Sequence, residues 1–306
     1  MKKILTLGSI NMDFSIYLKR MPQKGETVSA HRLSYQCGGK GANQACSMGK
    51  LGAKTTMLGC VGLDSFGRKQ LENLKLNHVD ISYIRKTPEK STGTAVIYID
   101  DNGDNSIVVA AGANKDCNRE YLKSLESLFS EYDFFVFQME IPHDAVYYGI
   151  EQARKSGKTI ILDPAPAPET IPETILKKID YLTPNETELI ALTALSEVNM
   201  ENIQKGAKLL LEKGVKNVLV TLGEKGTLLV NHEKEIIYPA RKVQVKDTTG
   251  AGDCFNGAFV TALAEGQTTD EAIQFASLAA SIAVTREGAQ SALPERKEVD
   301  ALLSTT

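Results

Sequence analysis

Cysteine is scarce in this sequence, and its placement excludes two common uses. The five cysteines, Cys37, Cys46, Cys60, Cys117 and Cys254, are odd in number, scattered and free of any CxxC pair. That argues against a disulfide framework or a cysteine zinc site, and it fits a reducing cytoplasm. The four histidines, His31, His78, His143 and His232, are equally isolated, with none in HExxH or zinc spacing. No apolar run approaches the roughly 20 residues that a membrane helix needs. The opening MKKILTLGSINMDF carries two lysines and a short apolar run. Asn11 and Asp13 interrupt that run before any plausible cleavage site, so it reads as a buried first strand rather than a secretory leader. With no leader, the string Asn185-Glu186-Thr187 reads as a chance match to a glycosylation acceptor. Neither sign of charge dominates: the formal net charge is −3 and no block of like charge stands out. This weighs against nucleic acid or an anionic membrane as the main partner. No GxxxxGK[ST] string occurs, and Gly8 is followed by Ser-Ile-Asn rather than by a GxGxxG turn. The P-loop and dinucleotide fingerprints are therefore missing.

What is present is a regular alternation. The 306 residues, 42 % of them apolar, suffice for one large α/β domain with an excursion or for two ordinary domains. The runs KKILTLG, KTTMLGCVG, DFFVFQ, KTIILDP, DYLTPN and KNVLVTLG read as buried strands. Helical patterns over 41–51, 65–77, 143–156, 185–194 and 200–213 lie between them. Apolar strands joined by helices predict a mostly parallel sheet covered on both faces. Two stretches break the rhythm. Residues 14–18 and 28–37 alternate loosely, and GTAVIYID and NSIVVA flank DDNGD, a hairpin turn signal. These pieces read as half-exposed antiparallel strands forming a small lid sheet; an irregular edge of the main sheet is the alternative. PAPAPETIP at 164–172 reads as a loop after a strand.

Two glycine clusters carry the chemical signal. In DTTGAGDCFNGAF, residues 247–259, Gly250 and Gly252 open a helix that is expected to run to about residue 265. The unpaired N–H groups at such an end attract anions, and small residues let a phosphoryl group approach. Asp253 falls in the first turn, where a carboxylate can take a proton from an attacking hydroxyl. The plainer alternative is a helix cap. In CGGKGANQA, residues 37–45, exposed backbone with Asn43 can bind sugar hydroxyls; the alternative is a tight turn.

Taken together, the strings GSINMD, GGKGANQA, STGTAVIYI, AAGAN, QMEIP, LDPAPA, TPNETE, VTLGEKG, DTTGAGDCFNGA and AVTREGAQ resemble the PfkB carbohydrate kinase family, and its ribokinase type in particular. The match runs over essentially the whole chain. The resemblance implies a ribokinase-like α/β fold with a central, mostly parallel sheet, helices on both faces and a small antiparallel β lid. It implies a single kinase domain over 1–306 with the lid made by segments at about 12–38 and 91–110. The implied reaction is ATP-dependent phosphorylation of D-ribose at its 5-hydroxyl. Alternatives are a kinase for 2-deoxyribose or fructose, or a non-catalytic sugar-binding regulator.

The resemblance also implies roles, residue by residue. Asn11, Asp13, Gly39, Asn43 and Glu140 would hold the sugar. Asp253 would be the base, and Gly250, Ala251 and Gly252 would form the anion hole for the transferring phosphate. Asn185, Glu188, Thr221, Leu222, Gly223, Glu224, Lys225 and Gly226 would contact ATP, with Asn185 and Glu188 forming an NxxE string tied to Mg2+. Asp247 and carbonyls of Thr249, Ala283, Arg286 and Gly288 would hold K+. Two positions depart from the commonest pattern. Ser277 stands near the expected adenine site in place of His or Asn, and Ala292 stands where a serine helps hold the cation. A homodimer through the lid and a cytoplasmic location complete the expectation.

Overall fold

The computed structural model describes residues 1–102 and 104–304. Thirteen strands are seen among the described residues: β1 (Lys3–Leu7), β2 (Asn11–Leu18), β3 (Ala30–Gly38), β4 (Lys54–Gly62), β5 (Asp80–Thr87), β6 (Gly93–Ile99), β7 (Asn105–Ala110), β8 (Phe134–Phe137), β9 (Thr159–Leu162), β10 (Tyr181–Leu182), β11 (Asn217–Thr221), β12 (Thr227–Asn231) and β13 (Glu235–Tyr238). Between them run α1 (Lys40–Lys50), α2 (Ser65–Leu76), α3 (Arg119–Lys123), α4 (Leu128–Glu131), α5 (His143–Lys155), α6 (Glu173–Leu176), α7 (Glu186–Thr193) and α8 (Met200–Glu212). Helices α9 (Ala251–Glu265), α10 (Thr269–Ala283) and α11 (Arg296–Leu303) close the chain.

The larger sheet has nine strands in the order β13-β12-β11-β10-β9-β8-β1-β4-β5. All its pairings from β5 to β11 are parallel, and the β11-β12-β13 edge is antiparallel. Side chains on successive strand residues point to opposite faces, and here both faces are covered. Leu5, Leu7, Phe135, Phe137, Val218 and Val220 pack with α5, α7 and α8. Ile4, Val136, Ile161 and Leu219 pack with α1, α9 and α10. This double burial explains why the strands read as unbroken apolar runs rather than as alternating ones.

The smaller sheet has the order β3-β2-β6-β7. Its outer pairs, β2 with β3 and β6 with β7, are antiparallel, as the alternating pattern suggests. Its central pair, β2 with β6, is parallel, because each hairpin leaves the main body in the same direction. The expected hairpin turn at DDNGD falls partly on Gly103, outside the described residues.

Three elements differ from the sequence reading. DYLTPN contributes only two strand residues, Tyr181 and Leu182, before the chain turns toward α7. Strand β5 and the β12-β13 edge are absent from the strands expected. β5 alternates exposed and half-buried residues over Asp80–Tyr83 and buries only Ile84 and Thr87, and β13 is mostly exposed, so neither carries the apolar run that marks a central strand.

Candidate active site

Parallel strands deliver their C-terminal ends to one side of the sheet, where α/β proteins place ligands. Ser9 follows β1, Glu140 follows β8, Asp163 follows β9, Asn185 follows β10, and Thr221 ends β11. Across from these ends lies the start of α9. Gly250 precedes it in the left-handed conformation, φ 73°, which a side chain would strain. A Cβ on Gly250 would also stand 3.1 Å from the Ala289 Cα. At Gly252 a Cβ would meet no atom within 4 Å, so its backbone faces open space. Ala251 N–H donates to the Thr248 carbonyl at 3.1 Å, and the first helical bond runs from Cys254 N–H to Gly250 O at 2.8 Å. No backbone acceptor pairs with the N–H groups of Gly252 and Asp253 among the described residues. They form an end suited to an anion.

Asp253 is buried in the first turn of α9, and both its oxygens accept bonds from neighbouring residues of α1. Asn43 Nδ2 donates to Oδ2 at 2.8 Å, and Gln44 Nε2 donates to Oδ1 at 3.0 Å. Gln44 spends its other amide hydrogen on Asp163 Oδ2 at 2.7 Å, while its carbonyl accepts from Gln138 Nε2 at 2.6 Å. The Asp163 carboxyl is pushed up to about 8, first by burial, with Asp253 and Glu188 adding to it against the pull of Lys40 and Gln44. Burial draws the Lys40 ammonium down. The carboxylates of Asp253, Asp163, Glu140 and Glu188 outweigh that and hold it above the ordinary lysine range. Lys40 is therefore a fixed cation amid four acidic side chains.

The five residues expected on the sugar side converge next to this group. Asn11 and Asp13 lie on β2, Gly39 immediately precedes α1, and Asn43 lies one turn into it. Glu140 accepts a bond from the Ser9 hydroxyl and another from the Lys40 N–H at 3.2 Å. Burial pushes the Asp13 carboxyl up to about 7, and the nearby Glu140 and Asp253 charges push the same way. The Asn11 amide is oriented by Asn114, whose Nδ2 donates to Asn11 Oδ1 at 2.7 Å and whose Oδ1 accepts from Ile10 N–H at 3.0 Å.

A pocket of about 210 Å³ opens beside Asp253. Its wall joins Asn185, Glu188, Thr221, Gly250, Ala251, Gly252 and Asp253, drawn from the expected nucleotide, anion-hole and base positions. The same wall includes Lys40, Asp163, Thr183, Thr248 and Asn256, which sequence reasoning missed. Lys40 sits inside GGKGANQA and Asp163 inside LDPAPA, so the strings were seen but their buried charges were not. Asn185 caps α7 and forms a capping box with Glu188: Asn185 Oδ1 accepts from Glu188 N–H at 2.8 Å, and Glu188 Oε2 accepts from Asn185 N–H at 2.9 Å. The other Glu188 oxygen remains for the pocket.

Other expected nucleotide positions lie off this wall. Gly223, Glu224 and Lys225 make an exposed 3-10 turn after β11. The Leu222 side chain is in the core, 2 % exposed, so only its backbone can reach a ligand. Gly226 closes the sheet edge: a Cβ there would lie 1.9 Å from the Tyr238 carbonyl oxygen. Ser277 is on α10, its hydroxyl oxygen buried with no partner among the described residues.

The positions expected to hold K+ form two linked loops. Asp247 Oδ1 accepts from Thr249 N–H at 2.9 Å and from its hydroxyl at 2.7 Å, and Oδ2 accepts from Gly288 N–H at 2.8 Å. Burial raises the Asp247 carboxyl, but these bonds prevail and hold it below the usual range. The Val284 carbonyl accepts from Lys246 N–H at 2.8 Å and Asp247 N–H at 3.2 Å, and the Ala283 carbonyl from Arg286 N–H at 3.0 Å. The Arg286 side chain turns away to pair with Glu298. Ala292 is buried in the turn that follows, where its backbone N–H donates to Ala289 O at 3.2 Å.

Comparison with known proteins agrees with this layout. A model of the pfkB family carbohydrate kinases matches residues 1–296. Ribokinase from Haemophilus influenzae is 39 % identical over 299 residues, covering 97 % of each chain. Deoxyribokinase from Salmonella typhimurium is 36 % identical over 301 residues, covering 98 % of each. The structure of Arabidopsis thaliana ribokinase complexed with ribose and ATP superposes with a TM-score of 0.94 at 36 % identity, covering 100 % of this chain and 99 % of that one. With the family pattern spanning nearly every residue and the fold reproduced throughout, the chain belongs to the pfkB family of carbohydrate kinases and, within it, to the ribokinase-type enzymes.

Proposed function

We propose that this enzyme transfers the γ-phosphoryl group of ATP to the 5-hydroxyl of D-ribose, giving ribose 5-phosphate and ADP. The observation that carries this reading is Asp253. It lies at the mouth of an anion-ready helix end, with Asn43 and Gln44 fixing both its oxygens and the sugar-side residues next to it. The two amide donors fix the orientation of the carboxylate that accepts the proton. In the step itself the ribose O5 bonds to the γ-phosphorus, the bond from that phosphorus to the β–γ bridging oxygen breaks, and the O5 proton passes to Asp253. Of the expected anion-hole residues, Ala251 spends its N–H on the Thr248 carbonyl. The N–H groups of Gly252 and Asp253, beside the Gly250 turn and without a backbone acceptor among the described residues, and the buried positive charge of Lys40 are therefore the groups that meet negative charge gathering on the transferring group. Asp13, Asn11, Asn43 and Glu140 pair with sugar hydroxyls. A sugar lacking one would leave a buried polar group unpaired, which is the source of selectivity.

A Mg2+ ion fits the Glu188 carboxylate on the pocket wall, because Mg2+ takes one or two carboxylates, substrate phosphates and its own waters. Bound there, it would supply charge neutralisation for the phosphates. A K+ ion fits the Asp247 loop, where a single carboxylate and the carbonyls of residues 249, 283, 286 and 288 offer hard, weakly charged oxygens. Ala292 adds no side-chain oxygen. The nucleotide is placed along Asn185, Thr221 and the 223–226 turn, with Ser277 toward the base. We read the chain as one kinase domain over 1–306, its lid made by about 12–38 and 91–110, acting in the cytoplasm as a homodimer. The exposed apolar residues Leu33 and Tyr35 on β3, with Ile107, Val108 and Val109 on β7, support pairing through the lid.

The deoxyribokinase relative, at 36 % identity, supports a second reading in which 2-deoxyribose is the preferred sugar. ATP consumption measured across ribose, 2-deoxyribose and fructose decides between them. The expected result is the highest kcat/KM with ribose; a higher value for either other sugar overturns the assignment.

A further inference from the structure

Gln290 ends the TREGAQ string, and the proposed transfer gives it no role. Its side chain is buried, 5 % exposed, and it bonds to groups from three different elements. Nε2 donates to Asn43 Oδ1 at 2.9 Å and, at a longer 3.5 Å, to the Gly38 carbonyl. Oε1 accepts from Asn73 Nδ2 and from Cys46 Sγ at 3.5 Å. A glutamine amide has two donors and two acceptor sites, and here all four are occupied. Turning the amide over would set oxygen against the oxygens of Asn43 and Gly38, and nitrogen against the nitrogen of Asn73. Its orientation is therefore fixed by the fold.

That orientation fixes a second one. With Oδ1 engaged by Gln290, Asn43 must present Nδ2 to Asp253 Oδ2, where it donates at 2.8 Å. The neighbours of Gln290 in sequence have related contacts. Gly288 N–H clamps Asp247, and Ala289 packs under Gly250 at the start of the anion-binding end. One tripeptide thus touches the cation loop, the anion hole and the arm that holds the base.

We propose that Gln290 is a positioning residue. It holds Asn43 in the one amide orientation that aligns Asp253, and so ties the base to the 283–290 loop. This deepens the kinase reading and rests on Asp253 being the base.

Two variants test it. Gln290→Glu keeps the shape and the acceptor for Asn73 and Cys46, but as a carboxylate it cannot donate to Asn43. Gln290→Met keeps the length and removes the amide. Misplacing a reacting group by about 1 Å costs on the order of 10²-fold in rate. The expected result is a kcat lower by about tenfold or more, with KM for ATP within about threefold of the parent and a cooperative melt retained. A purely structural role would not split kcat from KM in this way. In an Asn43→Leu background, Gln290→Met should cost less than about threefold, because its effect passes through Asn43. A melted variant is replaced by the other, and either alone gives the split. Parent-like kcat in a folded variant, or an equal cost in both backgrounds, overturns the proposal. Asp253→Asn is assayed alongside. If it keeps turnover, the base assignment fails; if it loses turnover while the Gln290 variants keep it, only the role of Gln290 fails.

Discussion

At the scale of single residues, the site is a set of carboxylates that burial treats differently. Asp253 has an amide on each oxygen, so replacing it by Asn tests the proton transfer with little change of shape. The introduced amide could accept from only one of Asn43 and Gln44, because its nitrogen would face a second donor. We expect Asp253→Asn to lower kcat by about 10²–10⁴-fold, the usual loss of a positioned base, while ribose affinity by calorimetry stays within a few-fold. A near-parent kcat would remove Asp253 from that role. Asp13 gives a pH signature. Its folded pKa, about 7, lies above its ordinary 3.8. Below that ordinary value both folded and unfolded chains carry the proton. Between the two values the unfolded chain releases it while the native chain keeps it, so stability is lost as pH rises through the window. The melting temperature of the sugar-free protein should fall from about pH 5 to pH 7.5. Asp163, raised the same way, contributes to the same fall. Asp13→Asn, neutral throughout, should therefore lessen it without abolishing it, and an unchanged slope would contradict the assignment of Asp13. Sequence made Asn43 and Asp253 legible because each stands in a string whose chemistry is local, whereas Asp13 was assigned only through the family resemblance. Lys40, Gln44 and Asp163 were not legible as site residues. Their importance comes from convergence of α1, β9 and α9 in space, and from the mutual charge that burial leaves unscreened.

At the scale of elements, the central strands were legible because both their faces are buried, which writes an apolar run into the sequence. The edge strands β5 and β13 face solvent on one side and leave no such run. The helix start at Gly250 was legible from its glycines alone, while its attachment to the 283–288 loop was implied only by the family resemblance. Asp247 clamps Gly288 across 41 residues, and the Val284 carbonyl binds Lys246 and Asp247. A cation held by Asp247 and the carbonyls of Thr249, Ala283, Arg286 and Gly288 would touch the loop that carries Gly250 to Gly252 without touching substrate. Its action would be to hold the anion-binding end in place before reaction, which lowers the cost of reorganisation. We therefore expect kcat to rise when Na+ is replaced by K+ at constant ionic strength and saturating Mg·ATP, and Asp247→Ala to blunt the rise. Equal rates in the two salts would defeat the activation. An undiminished response in Asp247→Ala would place the ion elsewhere.

For the molecule as a whole, the question is what covers the lid. The small sheet is four strands wide and has two edges, β3 and β7. Leu33 is 61 % exposed on the first and Val108 60 % on the second, with Tyr35, Ile107 and Val109 alongside. Edge strands with apolar side chains invite pairing and are usually blunted by charge or covered. On β3, His31 and Arg32, with Lys69 over Tyr35, blunt the edge in part, whereas Ile107, Val108 and Val109 follow one another on β7 with no charged residue in the strand. A second copy is the expected cover, and a twofold arrangement would bury the same surface on both chains. The main sheet and its two cores lie away from this surface, so its loss should not unfold the domain. Sedimentation should accordingly find a dimer at micromolar concentration. Leu33→Glu combined with Val108→Glu should shift it to a monomer whose melting remains cooperative. Because Asn11, Asp13 and Gly38 lie where β2 and β3 join the body, a lid freed from its partner should hold sugar less firmly. The monomeric variant is expected to show a KM for ribose raised several-fold, with KM for ATP little changed. A parent protein that sediments as a monomer would refute lid pairing outright. A monomeric variant with unaltered ribose KM would keep the pairing and separate it from sugar binding.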